Sequence, residues 1–373
     1  MIPWHISDQL RIYILYNTTM KELYVLGAGA SCADPLTKLP LGKELCWNYN
    51  LNCGSAIDGG ASRQKSIMFE KEKFDRWYHK FFGIIRKYWA YAEEYVDELN
   101  KYERLTKDGI TYFCYKIVGD NKKTDSKGHK KPYIEEVIRR AKLKDDMKAV
   151  RFLKEFIAQH VLEMSYLNLG QRNSHYNRLA VTLKQRPPDD TTVVSFNFDY
   201  SLEESILLDS TFKYIVPESM RSSSEFNGIP LIKPHGSLNW STCPICKSTT
   251  IDHPTRVSGT YYHNRPCYDH GCPGILEPLI IAPNEDKELY DNFFYERIKR
   301  ELQGLDVLTI IGYSFPDYDS TVKDYLVDHV DSSTTIQIVD TSTVTIEKIK
   351  GLFQNNRAKV FSGGFKQYIE SLT

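Results

Sequence analysis

Cysteines 243, 246, 267 and 272 fall in two short-spaced pairs, Cys243-Pro244-Ile245-Cys246 and Cys267-Tyr268-Asp269-His270-Gly271-Cys272, separated by twenty residues. Two such pairs match the ligand set of a tetrahedral zinc ion, and the Pro and Gly beside them suit the tight knuckles those sites need. The role is structural, because four thiolates leave no coordination position for water or substrate. His263 or His270 can stand in for one cysteine. Four unrelated buried thiols are a poor alternative in a segment with so few apolar residues.

The other residues able to do chemistry stand in polar turns directly after apolar runs. Leu23-Tyr24-Val25-Leu26 leads into Gly27-Ala28-Gly29-Ala30-Ser31, where glycines allow a tight turn and bring backbone amides close to a phosphate. A plain turn stays open, since Cys32 occupies the place of the third glycine in the usual dinucleotide fingerprint. Val193-Val194-Ser195-Phe196 ends in Asn197-Phe198-Asp199. Asn197 can bond a ribose hydroxyl or a water, and Asp199 can accept from a carboxamide or cap the next helix. Leu231-Ile232-Lys233-Pro234 ends in His235-Gly236, and a histidine titrates near neutrality, so His235 can act as a general base or be structural. Finally, Ile310-Ile311 precedes Gly312-Tyr313-Ser314, and Ile338-Val339 precedes Asp340. Gly312 and Ser314 can face phosphates, and Asp340 can accept from an adenosine ribose hydroxyl.

Such turns need a scaffold that presents them together. Strands are expected at 23–26, 191–196, 230–233, 279–282, 307–311, 335–339 and 359–361. The intervals hold helical patterns such as 290–302 and 320–329. Apolar runs of this kind, separated by crossovers, imply a parallel sheet covered on both faces. The expected fold class is α/β: a Rossmann-like parallel sheet with a helical insertion and a small four-cysteine zinc module. We read one domain over 1–373, with its core in 21–64, 175–240 and 278–373, the insertion in 65–174 and the zinc module in 241–277. Within the insertion, Phe74, Trp77, Phe81, Ile85, Tyr88 and Ala92 recur at helical spacing, and residues 151–162 continue the pattern. The stripe reads as an internal core, with self-association as the alternative. Residues 119–132 read as a solvated polar loop and 11–16 as an extra strand or arm.

Composition narrows the class further. With 41% hydrophobic and 26% charged residues, the chain reads as a globular protein rather than a disordered or membrane one. Lys+Arg and Asp+Glu both number 48, so no overall positive excess points to nucleic acid. No apolar run is long enough to span a bilayer and no secretory signal is evident, so a cytoplasmic location is expected.

The order Gly27-Ala28-Gly29-Ala30-Ser31, Asn197-Phe198-Asp199, His235-Gly236, four cysteines and Gly312-Tyr313-Ser314 resembles the sirtuin superfamily. More narrowly, it looks like the sirtuin-like NAD hydrolases of bacterial anti-phage defence. The likeness covers about residues 21–50 and 190–345. It implies NAD as substrate, a structural zinc ion, Asn197 and His235 as the catalytic pair, and Asp199 at the nicotinamide end. It also implies an activating partner such as an ATPase or an Argonaute. The deacylase branch carries a Gly-Ile-Pro-Asp-Phe stretch after the glycine turn, whereas Cys32-Ala33-Asp34-Pro35-Leu36 stands here. That departure favours hydrolysis to nicotinamide and ADP-ribose over protein deacylation or ADP-ribosyl transfer. A catalytically silent NAD or ADP-ribose sensor is the reading from another class.

Overall fold

The computed structural model describes residues 20–34, 50–56, 80–81, 83–88, 102–107, 110–116, 134–166, 174–204, 212–217, 220–222, 228–252, 265–269, 271–281, 291–316 and 319–372. The expected segments at 11–16 and 119–132, and His263 and His270, lie outside them.

The strands are β1 (Glu22–Leu26), β2 (Asn50–Ala56), β3 (Tyr102–Lys107), β4 (Ile110–Lys116), β5 (Thr191–Ser195), β6 (Phe212–Tyr214) and β7 (Met220–Ser222). They continue as β8 (Ile229–Ile232), β9 (Gly236–Thr242), β10 (Thr249–Ile251), β11 (Glu277–Ile280), β12 (Val307–Ile311), β13 (Thr335–Val339) and β14 (Ala358–Phe361). Seven form one parallel sheet in the order β14-β13-β12-β1-β5-β8-β6. β1, β5 and β12 are buried along their whole length, as predominantly apolar or β-branched runs between helices should be, with the buried Glu22 and Ser195 at the ends of β1 and β5. The chain passes from β1 to β5 on one side and later returns to β12 on the other. A crevice therefore opens at the carboxyl ends of these strands, where such sheets bind ligands.

Register fixes which residues meet there. Leu26 pairs with both Ser195 and Ile311, Ile311 with Val339, and Val339 with Phe361, so four strands beside β1 end level with it or with one another. The residues that follow, Gly27, Phe196, Gly312 and Asp340, consequently share one edge. Val194 pairs with Ile232, which brings Lys233 to the same level.

Helices α1 (Ala28–Ala33), α4 (His175–Lys184) and α9 (Gly364–Ser371) pack together, and the Phe365 ring meets Tyr176 edge-on at 5.4 Å. α6 (Asp291–Leu302) packs on α7 (Ser320–His329) through the stacked rings of Tyr295 and Tyr325. α8 (Thr343–Leu352) is capped at Ser342, whose hydroxyl accepts from the Thr345 amide.

A second sheet runs β11-β9-β10-β7. β11 was expected in the parallel sheet but pairs antiparallel with β9, with Ile280 opposite Gly236. β9 passes so close to β11 that a Cβ on Gly236 would lie 2.0 Å from the Leu279 carbonyl oxygen, and Gly236 has φ +77°. The sequence pattern for a short buried strand does not distinguish the two sheets, because both sides of β9 and β11 are covered.

In the insertion the expected helices are present: residues 80–81 and 83–88 are helical, followed by α2 (Ile134–Leu143) and α3 (Met147–Tyr166). Phe81 and Ile85 are fully buried and Phe81 stacks on Phe156 at 4.0 Å, so this part of the stripe serves an internal core. Phe74, Trp77 and Ala92 lie outside the described residues. Strands that were not expected also appear: β3 and β4 lie in the insertion, and β2, inside the 21–64 stretch assigned to the core, pairs antiparallel with β4 in a separate three-stranded sheet. Lys107 pairs with Ile110 across Asp108-Gly109, a two-residue hairpin signal that the helical spacing around it obscures. α3 ties the insertion to the second sheet, packing on β9 and β11 with Arg151 3.5 Å from Glu277. No helix among the described residues is long and apolar enough to cross a membrane.

The edge depends on one close backbone contact, between the glycine turn after β1 and Gly312. A Cβ on Gly312 would lie 2.2 Å from the Ala30 nitrogen, and its φ of +60° is strained for any other residue. We expect Gly312→Ala to lose at least about 1–3 kcal/mol in chemical denaturation, from backbone strain before the clash is counted. Gly351→Ala, where a Cβ meets open space on α8, is expected to gain up to about 1 kcal/mol.

Candidate functional site

The glycine turn is held by hydrogen bonds to the neighbouring strand end. The Gly27 N–H donates to the Ile311 carbonyl at 3.0 Å and the Gly29 N–H to the Gly312 carbonyl at 2.9 Å. Ala30 N–H closes the turn on the Gly27 carbonyl at 2.9 Å, and Gly312 N–H reaches the Val339 carbonyl at 3.0 Å. The glycines were expected to offer their amides to a phosphate. Here those of Gly27 and Gly29 are spent inside the protein, and what the glycines supply is close approach of three strand ends.

Beneath this turn lies a buried polar cluster. The Asn197 amide nitrogen lies 3.0 Å from the Gly27 carbonyl, 3.0 Å from Ser31 Oγ and 3.3 Å from the Tyr176 hydroxyl, with two hydrogens for three acceptors. Ser31 Oγ is 2.7 Å from the Tyr176 hydroxyl and donates to Asp199 Oδ2 at 2.9 Å. Asp199 Oδ1 accepts from the Ser201 amide at 3.0 Å, capping α5 (Ser201–Glu204). Burial drives the Tyr176 phenol well above its ordinary range, so it stays protonated at any physiological pH. Both Asp199 oxygens are thus bonded within the chain, which is the helix-cap alternative the sequence left open.

Asp34, at the end of α1, accepts from Ser174 Oγ at 2.7 Å and from the Tyr176 amide at 3.2 Å, which anchors the start of α4 and so the Tyr176 ring. Lys233, fully buried, donates to Glu203 at 2.9 Å and to the Asp199 carbonyl, locking the β5 and β8 turns together.

His235 is nearly buried. Its Nε2 lies 3.2 Å from Asp319 Oδ1, while Asp319 Oδ2 accepts from the Tyr313 hydroxyl at 2.9 Å. Phe196 joins this group to Asn197: its ring stacks on Tyr313 at 4.5 Å and meets His235 edge-on at 5.2 Å. Ser314 is exposed beside Gly312. Asp340 accepts from the Ser342 amide at 2.7 Å, and burial raises its carboxyl above the ordinary range.

The structure therefore gathers Gly27, Ala28, Gly29, Ala30, Ser31, Asn197, Asp199, His235, Gly312, Ser314 and Asp340 along one edge of the parallel sheet. Tyr176 and Asp319 were not foreseen. Asp319 directly precedes a helical pattern, where an Asp reads as a cap, yet its side chain makes no capping bond. Ser174 before His175 signals the start of α4, and Tyr176 follows from it.

Away from this edge, the sulfurs of Cys243, Cys246, Cys267 and Cys272 all lie within 4.8 Å of one another. The Cys243–Cys272 and Cys246–Cys267 separations are 3.6 Å and 3.5 Å. A zinc ion with Zn–S bonds of about 2.3 Å has sulfur–sulfur edges of about 3.8 Å, so the quartet fits a single tetrahedral ion. Cys267 and Cys272 are set by turns in which Cys267 N–H donates to the Gly274 carbonyl and Cys272 N–H to that of Asp269. A Cβ on Gly274 would lie 2.3 Å from the Cys243 sulfur, so only glycine leaves the cluster its room.

No protein-family model and no curated protein matches the chain. Among solved structures it is similar to a Sir2 homologue mutant in complex with ADP-ribose, at 15% identity and a TM-score of 0.40 over 62% of this chain and 75% of that one. It is similar also to Sir2Tm bound to a propionylated peptide, at 11% identity and 0.43 over 98% and 97%. A third, titled for the structural basis of sirtuin substrate affinity, shares 11% identity at 0.44 over 99% and 98%.

Metal analysis of the purified protein is expected to give one zinc per chain. Cys243→Ser and Gly274→Ala should each lower that occupancy and the thermal midpoint, and full occupancy in both variants would rule the quartet out as the site.

Proposed function

We propose that this chain is a sirtuin-like NAD hydrolase that converts NAD+ and water to nicotinamide, ADP-ribose and a proton. The observation that carries the reading is the convergence of the glycine turn, Asn197, His235 and the Gly312 turn at the carboxyl edge of one parallel sheet, the place where such sheets take nucleotides. In this reading the dinucleotide lies across the β1–β12 boundary. Its pyrophosphate passes over Gly27–Ser31 and Gly312–Ser314, and its adenosine ribose reaches Asp340.

Nicotinamide leaves NAD+ as a neutral molecule, so the reaction needs little more than a held ribose and a deprotonated nucleophile. The transition state is oxocarbenium-like, as in glycoside cleavage. Asn197, rigid in its buried cluster, orients the nicotinamide ribose or the attacking water through its remaining acceptor. His235 takes the proton from that water, directly or through a ribose hydroxyl. Cys243, Cys246, Cys267 and Cys272 would hold a zinc ion in a structural role, since four thiolates would leave it no position for water or substrate. A defensive role by NAD depletion, with an ATPase or Argonaute as activator, follows from the sequence resemblance alone.

One observation favours a second reading. Asp199 is bonded at both oxygens and the Asn197 nitrogen is fully engaged, which suits a site that binds NAD or ADP-ribose without turning it over.

Incubation with NAD+ should release nicotinamide, with Asn197→Ala and His235→Ala each lowering the rate about a hundredfold or more while the fold is kept. Nicotinamide release that is unchanged in the double variant would overturn the assignment. Tight NAD binding with no release from the native protein would favour the sensor.

A further inference from the structure

We propose that Asp319 is the positioning residue of His235, which makes Tyr313, Asp319 and His235 a relay that fixes the imidazole for proton transfer; the inference rests on the hydrolase reading above. Asp319 is buried and ideally placed to cap α7, but its carboxylate makes no bond to that helix. One oxygen faces His235 Nε2 at 3.2 Å and the other is held by the Tyr313 hydroxyl at 2.9 Å. The backbone of the same loop is pinned by the Asp319 N–H on the Pro316 carbonyl at 2.9 Å and by Lys348 on the Phe315 carbonyl. A carboxylate held at both oxygens in this way sets the ring orientation. It keeps the proton of the neutral imidazole on Nε2 and the accepting lone pair on Nδ1, and it stabilises the imidazolium once a proton arrives.

Among the described residues, two charged groups at the neighbouring turns are committed elsewhere. Lys233 is paired with Glu203, and Asp199 is bonded by Ser31 and the Ser201 amide. Asp319 presents a carboxylate oxygen to the ring. Aromatic walls complete the setting, with Phe196 edge-on at 5.2 Å and Phe198 at 6.2 Å.

The test combines a spectrum that needs no substrate with kinetics that do. In protein labelled with nitrogen-15 at histidine, the native His235 Nε2–H should appear as an exchange-protected, downfield proton. Asp319→Leu should abolish that signal. In the same variant, nicotinamide release should fall about tenfold to a hundredfold in kcat, with KM for NAD within about twofold. Asp319→Asn, which keeps the shape and an acceptor but not the charge, covers the case in which the Leu variant does not fold. It should show a smaller fall in kcat and a pH profile of altered shape. Native kcat in a folded Asp319→Leu variant, an unchanged pH profile in Asp319→Asn, or no bonded Nε2–H in the native protein would each overturn the proposal. If the signal behaves as expected while the native protein releases no nicotinamide, the hydrolase reading falls and the Asp319–His235 pairing stands.

Discussion

The backbones of Gly27, Gly29 and Gly312 touch so closely that a single carbon atom on any of them would overlap its neighbour: a Cβ on Gly27 or Gly29 would lie 2.6 Å or 2.8 Å from the Gly312 carbonyl oxygen. That contact joins the ends of β1 and β12, the two strands between which the chain reverses its direction across the sheet. Everything at the edge is referenced to it. The Gly27 carbonyl it positions is an acceptor for Asn197, and the Gly312 turn it fixes carries Tyr313, whose ring supports Phe196 and whose hydroxyl holds Asp319. The sheet can present polar residues there because its own strands are apolar and level, so that every chain leaving it does so at the same height.

Below the edge, the polar groups are bonded to one another rather than left to solvent. Burying a lysine and a glutamate together, as Lys233 and Glu203 are, rarely adds net stability, because the cost of removing both charges from water offsets their attraction. What the pair supplies is geometry: it ties the turn after β5 to the turn after β8, and hence Asn197 to His235. The Ser31, Tyr176, Asn197 and Asp199 cluster works the same way between α1, α4 and β5. These are the features of a site held rigid before a ligand arrives, in which reorganisation during reaction is small.

Much of this was legible in the residues. Strands such as Val307–Ile311 announce themselves by predominantly apolar runs, and the polar turn after each one marks where the chain leaves the carboxyl edge of the sheet. The paired cysteines gave their module by spacing alone. Less legible were contacts between residues distant in sequence. Asp319 reads locally as a helix cap, and only the fold shows its oxygens turned to His235 and Tyr313. Tyr176 lies in a helix whose pattern explains its burial but not its hydroxyl. Conversely, the glycine turn was read as a tight turn whose amides face a phosphate, because the neighbour that takes the Gly27 and Gly29 amides, the end of β12, is nearly three hundred residues away. The hairpin at 102–116 was hidden by aromatic residues whose spacing suits a helix as well as a strand.

Whether these turns form one dinucleotide site can be seen in a crystal structure of the His235→Ala variant soaked with NAD. The account predicts intact NAD across the β1–β12 boundary, with the nicotinamide ribose between Asn197 and the space vacated at 235 and the pyrophosphate over residues 27–31 and 312–314. NAD bound elsewhere on a protein whose carboxyl edge remains empty would contradict it.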